Sequence, residues 1–290
     1  MNDQASKLRN LVNSKTEVDS DNKSRIITVA SGKGGVGKSN FAVNVGLAFQ
    51  QTGERVLLID GDLGMANLDI LLGVTPQYNL THVLKGQCKF QEAILEGPEN
   101  LNLMPGISGI GDFINTDQEK IIKLLDISSH LEEKYDIILI DVGAGIHHSV
   151  INFIMAADEA VIVLTPEPPA IMDAYSLIKI MSKNNFNKKL GLLINKVDSE
   201  KESLKIFERM SEVIKSYLKI DITYLGYLPY DEHIKKSVKR QQPFISLYPN
   251  SQVSKHLQDI AKELLNKSKQ DTPSGAKGFM YRVIGFFKNN

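Results

Sequence analysis

Ser31-Gly-Lys-Gly-Gly-Val-Gly-Lys-Ser39 is informative because of what stands on either side of it. Ile26-Ile-Thr-Val-Ala30 before it is a short β-branched run that reads as a buried strand, and from Asn40 onward the pattern becomes that of an amphipathic helix. A strand that turns through glycines into a helix N-terminus makes an anion cradle. Without Cβ atoms in the way, consecutive backbone N–H groups point inward, and the helix adds the positive end of its dipole. Gly32, Lys33, Gly34, Gly35, Val36 and Gly37 supply that backbone. In this spacing Lys38 reaches the β and γ phosphates of a nucleotide, and the Ser39 hydroxyl ligates Mg2+.

Working outward, further apolar runs at Arg55–Asp60, Asn102–Met104, Tyr135–Asp141, Ala160–Thr165, Leu190–Ile194 and Thr223–Leu228 read as strands buried on both faces. Between them, apolar residues recur at three and four positions over 38–52, 79–96, 117–133, 148–157, 168–184, 200–218, 231–241 and 251–267, which predicts helices. Such alternation predicts an α/β fold, a doubly wound and mainly parallel sheet with helices on both faces. Ligands of such sheets bind beyond the C-terminal strand ends. Asp60, Asp62 and Asp141 stand there, and Gly143 and Gly145 after Asp141 give that turn freedom to move.

The chain has 290 residues, 42% hydrophobic and 23% charged, which suits one folded domain with tails and excludes disorder throughout. Its 34 Lys and Arg equal its 34 Asp and Glu, so no global field draws it to nucleic acid or membrane. A single cysteine, Cys88, forms no intramolecular disulfide, and the polar start carries no apolar signal segment; the expected compartment is the cytoplasm. No run approaches the roughly 20 apolar residues that span a bilayer. The predicted organisation is a motif at 1–9, a polar linker at 10–24, the folded domain at 25–267, a linker at 268–277 and a tail helix at 278–290.

A plain phosphate loop needs one lysine, and this one has two. With Lys33 early in the loop, the segment resembles the deviant-Walker (MinD/ParA) ATPases. The resemblance implies an ATP-dependent homodimer in which Lys33 reaches the phosphates held by the partner subunit. It implies further that Asp62 orients the attacking water, that Asp60 lies near the magnesium shell, and that Asp141 holds Mg2+ through water. Leu193-Ile-Asn195-Lys-Val-Asp198 matches the pattern by which many GTPases read guanine. In the resembled family, an asparagine at this strand end reads adenine, with a second contact from the Leu228-Pro229-Tyr-Asp231 segment. Asn195, Pro229 and Asp231 are accordingly read as adenine contacts, and Glu167 as a ribose contact across the dimer. His147-His148 reads as an ordinary helix start, since adjacent helical residues face different ways.

Asp3-Gln-Ala-Ser-Lys-Leu-Arg9 resembles the activator motif of the FlhG (YlxH) family of flagellar number and placement regulators. Leu63–Gly73, Tyr78–Gly86 and Thr165–Tyr175 resemble the same family. Asp3, Gln4, Ala5, Leu8 and Arg9 are then expected to stimulate a signal-recognition-type GTPase, FlhF, with flagellar basal-body components as further partners. At the other end, Phe279, Met280, Val283, Ile284, Phe286 and Phe287 gather on one helical face, with Lys277, Arg282 and Lys288 outside it. That composition predicts an interfacial helix engaging an anionic membrane surface reversibly. A nucleic-acid partner is not expected: Lys235, Lys236, Lys239 and Arg240 read as a solvated helix face. The rival roles are division-site or DNA-segregation positioning and antagonism of a flagellar transcription activator.

Overall fold

The computed structural model describes residues 23–62, 67–106, 118–267 and 273–288. Its first half runs β1 (Arg25–Ser31), α1 (Lys38–Gln51), β2 (Val56–Gly61), α2 (Leu68–Leu72), α3 (Leu80–Leu84), β3 (Leu95–Glu96), β4 (Asn102–Met104), α4 (Gln118–Lys134) and β5 (Ile137–Ala144). The second half runs α5 (His148–Ala156), β6 (Glu159–Leu164), α6 (Pro168–Lys183), β7 (Lys189–Val197), α7 (Glu200–Leu218), β8 (Thr223–Pro229), α8 (Glu232–Lys239), α9 (Phe244–Leu247), α10 (Gln252–Lys267) and α11 (Gly275–Lys288).

These strands form one eight-stranded sheet in the order β3-β4-β2-β5-β1-β6-β7-β8, parallel except for the β3–β4 pair. The expected doubly wound α/β fold is present. All seven residues of β1 and all six of β2 and β6 are buried, because helices cover both faces. Ile26 and Ala30 point into the core beneath α4, α5 and α6; Ile27 and Val29 point into the other, beneath α1 and α10. Strand β1 sits between β5 and β6, where successive connections leave in opposite directions. That reversal opens the crevice in which ligands of such sheets bind.

The expected strands recur with ends shifted by up to three residues, and most of the expected helices recur nearly as drawn. The helix expected over 79–96 is broken. Asn79 caps α3 by accepting from the His82 backbone, and Gly86 at φ 74° lets the chain turn away, as a left-handed glycine does after a helix. A 3-10 turn at Phe90–Ala93 and the short edge strand β3 follow. Helices α2 and α9 were not expected, being too short to show a period.

The tail helix has its partner within the protein. Helix α11 begins at Gly275, inside the stretch read as linker, and packs on α4, α5 and β1. Phe279, Met280, Val283 and Ile284, expected to face lipid, are buried in the protein's own core, with Phe286 and Phe287 half-buried beside them. An apolar helical face needs an apolar partner, and here α4 and α5 provide it. Arg282, expected among headgroups, instead bonds the body through Ala156 and Asp158. The motif residues Asp3, Gln4, Ala5, Leu8 and Arg9 lie outside the described residues.

Candidate functional site

The loop from Gly32 to Gly37 leaves the C-terminal end of β1 and runs straight into α1. Its glycines serve different ends. Gly37 precedes the helix at φ 95°, a left-handed conformation that other residues rarely adopt. Gly32 is there for close packing: a Cβ on it would stand 2.2 and 2.3 Å from the Asp173 backbone carbonyl of α6. At Gly34 and Gly35 a Cβ would meet nothing within 4 Å, so the cradle is open where phosphates would enter.

The two lysines of the loop have opposite surroundings. Lys38 is buried and donates to Asp141 Oδ1 at 2.6 Å, while Lys33 is exposed at the lip. Two buried unlike charges at contact distance compensate one another. Burial pushes the Asp141 carboxyl up, against the opposing pull of Lys38 and of a hydrogen bond with Ser39. Strand β5 pairs Val29 with Asp141 and then Ser31 with Ala144, an irregularity that gives it one extra residue beside the loop. Bulges of this kind commonly re-aim side chains next to sites.

Asp60 at the end of β2 is 2% exposed. It accepts from the backbone N–H of Asp62 at 3.1 Å, of Asn67 at 3.0 Å and of Leu68 at 3.3 Å. Burial lifts its carboxyl to about 6, with those backbone donors pulling the other way and the Asp141 charge adding to the rise. The carboxylate expected near the magnesium shell accepts these bonds from the chain that follows β2 and so fixes its start. Asp62 is half-buried and turned to the Gly143–Gly145 turn, since a Cβ on Gly143 would lie 3.5 Å from Asp62 Oδ1.

At the end of β7, Asn195 is buried and its Nδ2 donates to the Val36 carbonyl at 2.7 Å; its Oδ1 accepts from the Lys196 backbone at 2.9 Å. The residue expected to read adenine thus braces the phosphate loop. Asp231, expected beside it, caps α8 by accepting from the His233 backbone at 2.9 Å, and Pro229 ends β8 opposite Val197. Lys196 was missed by the sequence reading. It occupies an irregularity of β7 at φ 58° and donates from Nζ to the Gly35 carbonyl at 2.8 Å. The nearby Glu167 is exposed, its carboxyl held low first by the Thr165 hydroxyl, with Lys196 and Lys33 adding their charges.

Mg2+ and a nucleotide fit these residues. Among the described residues no group of three or more His, Cys, Asp or Glu is arranged to hold a metal ion alone. A small divalent ion held by Ser39, Asp141, phosphate oxygens and water requires no such cage. Ser39 and Asp141 are within hydrogen-bonding reach, and Lys38 already occupies the carboxylate.

A phosphate loop at the reversal point of a parallel sheet, with a lysine–aspartate pair beneath it, defines a P-loop nucleotide-hydrolysing protein. The chain belongs to the CobQ/CobB/MinD/ParA nucleotide-binding domain family, whose model matches residues 27–244, and it is an ATPase of the MinD/ParA type. It is 35% identical over 240 residues to the antiactivator FleN of Pseudomonas aeruginosa, covering 83% of this chain and 86% of FleN. It is likewise 35% identical to the flagellum site-determining protein YlxH of Helicobacter pylori, over 99% of both chains. The solved structure of the septum site-determining protein MinD of Pyrococcus horikoshii with Mg-ADP superposes with a TM-score of 0.67. That pair is 29% identical, over 85% of this chain and 98% of that one.

Proposed function

We propose that this chain is an ATP-operated positioning switch for flagellar assembly, active as a homodimer. The observation that carries the reading is the contrast within one loop: Lys38 is buried against Asp141, whereas Lys33 is exposed at the lip. A cation beside a triphosphate site but turned outward suits the phosphates held by a second copy. On this reading Gly32 to Ser39 cradle ATP, Ser39 and Asp141 hold Mg2+, and Asp62 positions the attacking water. When bound, Mg2+ supplies charge neutralisation at the transferring phosphate. Lys38 then exchanges Asp141 for phosphate oxygens. Asn195 serves the base indirectly, by fixing the loop, while Pro229, Asp231 and Glu167 line the nucleoside side.

Hydrolysis separates the copies, which makes membrane engagement reversible. The face formed by Phe279, Met280, Val283, Ile284, Phe286 and Phe287 is occupied by the protein's own core in the single chain, so lipid binding requires it to leave. Two tails in a dimer then act together through effective concentration at an anionic membrane surface. The flagellar assignment rests on similarity to YlxH along 99% of the chain, terminal segments included. The motif from Asp3 to Arg9 is the segment proposed to stimulate an FlhF-type GTPase, with basal-body components as the cargo. Antagonism of a flagellar transcription activator is the second reading, favoured by the likeness to the antiactivator FleN.

Two assays separate these readings. ATP turnover rising with protein concentration and with anionic vesicles supports the membrane switch; turnover indifferent to both sinks it. GTPase stimulation by a peptide of residues 1–25 supports the FlhF partner. Absence of stimulation, together with ATP-dependent capture of a flagellar activator, favours the second reading.

A further inference from the structure

Two neighbouring residues of β7 grip two neighbouring carbonyls of the phosphate loop. Asn195 Nδ2 donates to the Val36 carbonyl at 2.7 Å, and Lys196 Nζ donates to the Gly35 carbonyl at 2.8 Å. A regular strand does not allow this, because its successive side chains face opposite ways. The register of β7 on β8 slips at this point. Asn195 pairs with Leu228 and Val197 with Pro229, which leaves Lys196 as the extra residue of a bulge. It stands at φ 58°, a left-handed conformation that is unfavourable for a residue with a Cβ. Backbone strain of this kind persists where the surroundings impose it, and it clusters at functional sites.

The loop is shaped to receive the grip. Gly35 stands at φ 80° and Gly37 at φ 95°. A Cβ on Gly37 would lie 2.3 Å from Asn195 Nδ2, so a side chain there would displace the amide that reaches Val36. Lys196 itself is exposed, and burial therefore does not explain why its side chain returns to the loop.

A trans peptide is planar, and its C=O and N–H point in opposite directions. No cis bond occurs among the described residues. Drawing the Gly35 carbonyl toward β7 turns the Val36 N–H the other way, and drawing the Val36 carbonyl there does the same to the Gly37 N–H. In the sheet, β7 lies beyond β6 on one side of β1, and β5 lies on the other. Both N–H groups thus turn to the side on which Lys38 and Asp141 meet.

We propose that Lys196 is a positioning residue of the nucleotide site: from its bulge it holds the Gly35 carbonyl outward and so keeps the Val36 N–H aimed at the phosphates. Asn195 does the same for Gly37. Lys196 acts through the backbone of the loop and not on the nucleoside, so its effect is independent of the base. The proposal rests on the reading that Gly32 to Ser39 cradle phosphates.

Calorimetry of the full-length chain with Mg2+, using ADP and inorganic tripolyphosphate as probes, tests this. Lys196→Met keeps the apolar stem and removes the donor; affinity for both probes should fall by a common factor of about ten, the worth of a hydrogen bond from a charged group. Lys196→Gly should lose the same factor while unfolding at the native temperature or above it, since glycine adopts φ 58° without strain. That split separates positioning from a contribution to folding alone. Lys196→Arg keeps a donor and should bind both probes within threefold of the native chain. Native tripolyphosphate affinity in a folded Lys196→Met or Lys196→Gly chain overturns the proposal, and loss of ADP affinity alone would place Lys196 on the nucleoside instead. A native chain that binds neither probe removes the phosphate-cradle reading, and the proposal with it.

Discussion

Asp60 makes the stability of the nucleotide-free protein depend on pH in a direction opposite to that of an ordinary paired carboxylate. Its carboxyl rises from 3.8 to about 6 because burial disfavours the charge more than three backbone donors favour it. Since the folded state holds the proton more tightly than the unfolded chain, folding is favoured by the protonated form, and stability falls as pH rises through the interval. With the group 2% exposed, little solvent screening applies, and the shift corresponds to about 3 kcal/mol of lost stability above pH 6. About half of that loss is in place by pH 5. Asp60→Asn removes the ionisation. It also misplaces one donor among the Asp62, Asn67 and Leu68 amides, but that penalty does not vary with pH. Urea unfolding of both chains at intervals from pH 4 to 7.5 isolates the effect, because the Asp141 contribution is common to both. The native chain should lose about 2.4 kcal/mol relative to the variant across this range, the rest of the loss lying below pH 4. A difference between the two curves that stays constant with pH refutes the reasoning.

The other residues of the site give sharper mutational tests. Gly32→Ala places a Cβ against the Asp173 carbonyl, so the loop must shift, and calorimetry should show nucleotide affinity reduced at least tenfold; native affinity would mean that α6 yields. Asp141→Ala leaves Lys38 buried without its partner, which should lower unfolding free energy by about 3–5 kcal/mol, and adding Lys38→Met should recover most of it. No recovery in the double variant would show that the pair is not the source of the loss. Asn195→Ala removes the brace to Val36, so affinity for ATP and GTP should fall together; loss of ATP binding alone would instead support the expected direct adenine contact.

The phosphate loop was legible because its signal is local: strand, glycines, lysine and helix follow one another within the chain. The carboxylates were legible for the same reason, each standing where an apolar run stops. Their individual roles were not. Asp60 looks like Asp62 in the sequence until the donors at Asn67 and Leu68 fold back onto it. Asn195 and Lys196 act on Val36 and Gly35 across the sheet, a relation that no local pattern contains. Helix α11 was recognised as amphipathic, but an apolar stripe does not say whether lipid or protein covers it. Arg282 finds Asp158 through tertiary packing, 124 residues away.

Light scattering of the Asp62→Ala chain with ATP and Mg2+ is the most direct test of an ATP-operated homodimer. The predicted mass is twice that of the chain, returning to a single chain when Lys33→Ala is added or when ADP replaces ATP. A monomer with ATP, or a dimer indifferent to both Lys33 and the γ phosphate, contradicts it.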